Sequence, residues 1–404
     1  MQTMKKVILI LAILLIVRVE SEGQRQVGND ELITVDVRRD YSSKKELILQ
    51  DFFDVEYVYL ETNNDFLNQG VVMDVGKEII LVKNRIDDGD IFVYDRQGKA
   101  LRKINRKGQG GEEYSWIYSI TLDEDNGEMF VNDANLRRIY VYDLYGKFKR
   151  KFEHSESANY KYYTTIFNYD KNNLIGYDEI FFHLISKQDG QITKEIKIPF
   201  KEKKNLSQFK QDPNAKNRHP NMIIPDGFIV AGTIVNLPGA LPIIPYKGKW
   251  ILTEFSSDTV YTFMPDYKLT PIIARTPSIQ SVDTETVLIL RLNSERYYFI
   301  DKIRNEYDWN TSTGFPRSTF VYDKQEKTFS EYALYNGDFS TKKQIPITRF
   351  RLLNHEIAAW QAIESFDLVE DYKTGKLKDG KLKEIASKLD EEDNPVVMLI
   401  KHKM

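Results

Sequence analysis

Histidine, acid and glycine are the residues from which chemistry could be built in this 404-residue chain, because it contains no cysteine. His154, His183, His219, His355 and His402 are scattered, and none is paired at the helical or hairpin spacing of a zinc site. Without cysteine there is no thiol nucleophile, no thiolate metal ligand and no disulfide framework. Calcium prefers carboxylates and carbonyls. Asp123-Glu-Asp-Asn-Gly127 resembles a calcium loop, yet it lacks EF-hand spacing and falls where a hairpin turn is required. Gly108-Gln-Gly-Gly111 is followed by a strand pattern rather than by a helix whose N–H groups could face a phosphate. These glycines therefore read as a tight crossing between structural units. No Gly-x-Ser-x-Gly elbow occurs. Catalytic residues thus remain unassigned, no cofactor is expected, and only a calcium or zinc ion converging from distant segments is left open.

Binding chemistry is easier to place. Tyr114, Trp116 and Tyr118 precede a strand, and Arg137-Arg138 occupy a loop of the same unit. Aromatics beside arginine stack on sugars and peptides and are enriched at interfaces. These five are the candidate ligand-binding residues, against the plainer possibility that the aromatics fill space between units.

The elements that must position them are announced by a repeat. Ile91-Phe-Val-Tyr-Asp-Arg-Gln-Gly-Lys returns 48 residues later as Ile139-Tyr-Val-Tyr-Asp-Leu-Tyr-Gly-Lys. Each copy reads as a strand, a turn on Gly98 or Gly146, and a second strand. A period of about 40–50 residues with four strands per unit is the pattern of a β-propeller. Around these copies the spacing predicts strands at 71–75, 78–83, 91–95 and 99–105, then at 118–123, 128–132, 139–143 and 147–152. A third unit spans 162–198, a fourth includes 250–255, 259–263 and 269–274, and a fifth runs from 287 to 334. Residues 200–222 read as a long polar loop, and 303–317 as an extended connection. Residues 345–370 offer further strand candidates. Helical spacing of Leu382, Ile385 and Leu389 predicts a helix over 377–389, packed on the ring. The strand-like segments 55–60 and 395–400 would close the ring by sharing one blade. The expectation is an all-β fold: a six-bladed β-propeller of four-stranded antiparallel blades with a short C-terminal helix.

Composition agrees. The 24 Tyr and 22 Phe suit pleated, half-buried surfaces. A net charge of −3 with interspersed signs leaves no basic field for nucleic acid. Lys5-Lys6 followed by the apolar run Val7–Val17 describe an export signal, with cleavage after Ser21 or Gly23. The run is too short to span a bilayer, which needs about 20 apolar residues. Arg18 and Glu20 make the site imperfect, so an uncleaved anchor stays open. The expected organisation is a signal peptide at 1–23 and one propeller domain at 24–404. The expected location is periplasm, cell surface or medium, and not as a lipoprotein because cysteine is lacking.

Gly108-Gln-Gly-Gly-Glu-Glu-Tyr114, Asp125 to Asp133 and Arg138-Ile-Tyr-Val-Tyr-Asp-Leu-Tyr-Gly-Lys-Phe148 resemble an NHL-type propeller repeat. Together with Tyr57-Val-Tyr-Leu-Glu-Thr62, Ser257-Asp-Thr-Val-Tyr261 and Asp393-Asn-Pro395, the chain over about 31–404 is similar to the exported six-bladed propellers abundant in Bacteroidetes. The resemblance implies the fold and export, and it lends no catalytic residues. Many such relatives carry a cysteine after the apolar run; this chain does not. The function expected is a binding or scaffold module that recognises a peptide, glycan or partner protein through one face. A metal-dependent hydrolase or lyase at the central channel is the alternative, with enzymatic activity the less favoured.

Overall fold

Both copies of the Ile-x-Val-Tyr-Asp segment form the third strand of a four-stranded meander and the turn into the fourth. In the computed structural model, which describes residues 31–154, 163–204, 207–211, 222–223, 229–230, 232–236, 241–281, 286–311 and 313–403, the strands Asp90–Asp95 and Arg138–Asp143 are buried in the interior of their blades. The turns are built alike. The Asp95 carboxylate accepts from Gln97 and Lys99 N–H, both at 2.9 Å, and Asp143 does the same for Tyr145 and Lys147. Each turn then meets a one-residue register shift in the outer hairpin, after Val93 and after Val141. Gly98 and Gly146 sit at φ 85° and 82°, which glycine adopts without steric cost. They also make room for the preceding blade: a Cβ on Gly98 would lie 1.9 Å from the Tyr59 carbonyl oxygen, and one on Gly146 2.5 Å from Ile104.

Six blades form the ring. Blade 1 covers 71–105, blade 2 119–153, blade 3 165–196, blade 4 243–276 and blade 5 286–335. Blade 6 joins the two ends of the chain: Phe53–Val58 pairs antiparallel with Val396–His402, which pairs with Ile357–Ile363 and then Arg351–Leu352. Closure of this kind removes open sheet edges from the ring. Central strands are buried along most of their length, as in Glu128–Asp133 where every residue is buried, including the polar Glu128, Asn132 and Asp133. Outer strands alternate, and in Phe148–Glu153 the lysines 149 and 151 face solvent. Successive blades are stitched by equivalent arginines. Arg102 Nε donates to the Leu144 carbonyl at 2.7 Å, and Arg150 Nε to that of Lys187 at 2.9 Å.

Several elements depart from the sequence reading. Lys44–Ile48 adds parallel to Thr328–Tyr335 as a fifth strand outside blade 5, and residues 34–37 extend along the edge of blade 4. The innermost strand of blade 4, Ile243–Tyr246, is four residues long and contains Pro245, which an edge strand tolerates. The presumed loop at 200–222 contains Ser207–Gln211, paired antiparallel with Gly232–Asn236, so blades 3 and 4 are joined through a hairpin. Residues 345–370 are only partly strand, because Ile357–Ile363 runs through Glu364 directly into helix α1, Ser365–Lys373. No glycine or proline marks that change. The expected helix at 377–389 is shorter: α2 is Lys381–Ala386, and Leu377 instead bridges Phe339. Leu382, Ile385 and Leu389 nevertheless pack into the core of blades 5 and 6. The signal-peptide segment 1–23 and His219 lie outside the described residues.

Candidate functional site

A meander ring has two unlike ends. Connections from the first to the second strand and from the third to the fourth meet at one end. Those from the second to the third, and from each blade to the next, meet at the other. The first end is closed by short turns such as 76–78, 96–99, 124–127 and 144–147. The second gathers the long connections: 106–118, 197–242, 305–316, 336–350 and 364–395.

The short-turn end holds a cavity of 260 Å³ beside Asp74, Glu124, Trp250 and His355. Its acids are committed to the ring. Glu124 of blade 2 accepts N–H groups of Lys77, Glu78 and Ile79 in blade 1, at 2.6–3.0 Å. Asp74 accepts from Val75 and Leu122 N–H, both at 2.8 Å, and burial pushes its carboxyl up to about 7. Asp123, in the supposed calcium loop, pairs with buried Lys187 at 2.6 Å, while Gly127 at φ 63° closes the hairpin. Among the described residues, no three His, Asp or Glu side chains come together as a metal site.

The long-loop end opens into a cavity of 870 Å³, near the upper range for ligand pockets. It lies between blades 1 and 6, the start of blade 2 and the 336–350 segment. Five cationic side chains line it (Lys83, Arg85, Lys343, Arg349 and Arg351) against two carboxylates, Glu364 and Asp367. Arg85 is paired to Glu364 at 2.6 Å and Lys343 to Asp371 at 2.5 Å. Lys83 is only half-exposed, and desolvation holds its ammonium below the ordinary lysine range; it donates to the Ile117 carbonyl at 2.9 Å. Among the described residues, the Arg351 side chain donates to the carbonyls of Thr348 and Phe350, at 3.2 and 3.4 Å, and has no acidic partner. Arg349 is exposed and, among the described residues, has no acidic partner. Phe339, Trp360 and Met73 supply apolar wall.

The five candidate residues divide. Tyr114 is fully buried between blades 1 and 2, its hydroxyl donating to Gly89 O at 2.6 Å and accepting from Arg106 N–H at 2.9 Å. It offers a ligand no surface. Tyr118 lines the cavity and stands 37% exposed, edge-on to half-buried Trp116 at 5.5 Å. Arg137 and Arg138 reach the same end from the turn of blade 2, with Arg138 Nε on Glu153 at 2.7 Å. Buried Asp133 ties the two segments together: it accepts from Ser115 N–H, Ser115 Oγ and Trp116 N–H at 2.6, 2.9 and 3.2 Å, and from Leu136 N–H at 3.0 Å. The glycine loop at 108–111 is spoken for from within, since Glu113 accepts the Gly110 N–H at 2.7 Å. Sequence reasoning missed Lys83, Arg349 and Arg351. They come from opposite ends of the chain and meet only because the ring closes.

A family described as a domain of unknown function, DUF4934, matches residues 32–401. The chain belongs to DUF4934. No curated protein matches it. Among solved structures, this DUF4934 chain is similar to a Bacteroides fragilis protein described as exported, at 14% identity and a TM-score of 0.54, over 93% of this chain and 100% of that one. A DUF4221 member from Bacteroides vulgatus matches at 12% identity and a TM-score of 0.44, over 88% and 100%. Virginiamycin B lyase of Staphylococcus aureus matches at 12% identity and 0.36, over 86% and 99%. The propeller architecture expected from the repeat is thus shared by an exported protein of the expected bacterial group. A propeller of this kind fits a binding or scaffold role. Among the described residues, no helix of the DUF4934 chain is long and apolar enough to cross a membrane.

Proposed function

We propose that this DUF4934 protein is an exported binding module that takes its ligand into the cavity at the long-loop end. The observation that carries this reading is an 870 Å³ cavity at the long-loop end, bordered by the 336–350 segment and the start of 364–395, with a cationic surplus and an apolar wall. Loops on a rigid scaffold are where proteins place recognition. The apolar run before the propeller and the exported relative of similar fold support release from the cytoplasm.

The test is binding of the purified protein to combined peptide and glycan arrays, repeated with Tyr118→Ala, Arg351→Ala and Tyr145→Ala. Tyr145 is 76% exposed in a short turn at the opposite end. Binding should fall at least about ten-fold in the first two variants, as loss of one interface contact of about 1.4 kcal/mol would give. It should persist in the third. Signals that survive both cavity variants, or that vanish with Tyr145→Ala, would overturn the reading.

A further inference from the structure

Blade 6 is built with an incomplete inner strand. Arg351–Leu352 pairs only as Arg351↔Trp360 and Leu352↔Ala359. Its neighbour continues: Gln361, Ala362 and Ile363 stay paired on the outer side to Met398, Val397 and Val396, with no strand on the inner side among the described residues. The chain that would have filled that position is coiled into the turn Ile347–Arg349, where Phe350 N–H is already given to the Ile347 carbonyl. Gln361, Ala362 and Ile363 all line the 870 Å³ cavity. An antiparallel edge presents a row of N–H and C=O groups to whatever lies beside it. Here that row borders the cavity mouth. The Gln361 Oε1 atom is buried there without a hydrogen-bond partner, among the described residues. Arg349 and Arg351, without an acidic partner among the described residues, flank the same edge.

We propose that the mouth binds an extended acidic peptide segment of another protein, which adds to Gln361–Ile363 as the missing stretch of inner strand. Strand addition draws affinity from main-chain hydrogen bonds and specificity from alternate side chains. Carboxylates on the peptide would meet Arg349 and Arg351, where bidentate pairing is available. An acidic glycan would find one open aromatic face, Tyr118, since Trp360 is 8% exposed, and it would leave the strand edge unpaired. The proposal rests on the cavity being the binding site.

The experiment is selection of a random heptapeptide display library on the purified protein, then fluorescence anisotropy with the most enriched peptide. Enriched sequences should carry two or more Asp or Glu residues. Methylating alternate backbone nitrogens of that peptide should weaken binding at least ten-fold for one alternating set and little for the other. The double variant Arg349→Ala/Arg351→Ala, both at exposed side chains, should weaken binding at least ten-fold while its thermal melt stays unchanged. No enrichment, enrichment without acidic residues, or equal affinity for both methylated forms would overturn the proposal. Binding of polygalacturonate that requires the two arginines, with no peptide enriched, would also overturn it while leaving the cavity as the binding site. Loss of array binding of every kind would remove both readings.

Discussion

At the short-turn end, neighbouring blades grip each other through side chains that have little freedom to do anything else. Glu124 closes over three N–H groups of blade 1, Asp123 holds Lys187, and Gly98 and Gly146 press against the preceding blade. At the long-loop end, among the described residues, Arg349 and Arg351 have no acidic partner and a sheet edge stops short. Exposed apolar side chains follow the same division. Leu67, Ile86, Tyr118, Leu136 and Phe366 rim the long-loop end, whereas Tyr145 and Tyr267 are those of the short turns.

The comparison predicts unequal responses to substitution. Asp123→Ala should cost most, about 3–5 kcal/mol, because it leaves a buried ammonium unpaired. Urea denaturation would measure it, and a loss under about 1 kcal/mol would mean that Lys187 finds water or another partner. Gly98→Ala comes next, at about 2–3 kcal/mol, from a left-handed backbone and a collision with the Tyr59 carbonyl. Its thermal midpoint should drop by several degrees, and an unchanged midpoint would show that blades 6 and 1 can separate locally.

The acid limb is a smaller effect from the same end. Desolvation pushes His355 and His402 down to about 4 in the folded protein, against 6.5 in an open chain. A histidine lowered in this way stays neutral when folded and takes up its proton on unfolding, so stability is lost as pH falls from 6.5 towards 4. Melting curves across that range should slope downward with acid, His154 (also lowered to about 4) adding to the loss and Asp74 (raised to about 7) opposing it, and a His355→Gln/His402→Gln variant should make the slope less steep. A slope unchanged in that variant would place acid sensitivity elsewhere. Smallest of all should be Arg349→Ala, within about 0.5 kcal/mol of the parent by denaturation. A loss above 1 kcal/mol would mean that the long-loop end, too, is structural.

Legibility in the sequence followed the same line. Blades 1 and 2 could be read to within a residue or two, because alternating burial and Asp-x-x-Gly turns are local signals. Blade 6 was visible as two strand-like ends and as unplaced strand candidates within 345–370. Its inner strand, two residues long, has no pattern to detect, and α1 begins one residue after a strand without a breaking residue. Tyr118 was identified from its aromatic neighbours and does line the cavity, while Tyr114 carries the same local signal and is buried. Local spacing cannot tell which of two aromatics faces an adjacent blade.

From its repeat alone, this chain specified strands, turns and a ring, since period-two burial and left-handed glycine turns are properties of a few consecutive residues. Where the arginines, the glutamine and the unfinished edge would meet was decided only on closure. Blade 6 is completed by pairing strands more than three hundred residues apart in the chain, and no short-range pattern can encode a distance of that kind.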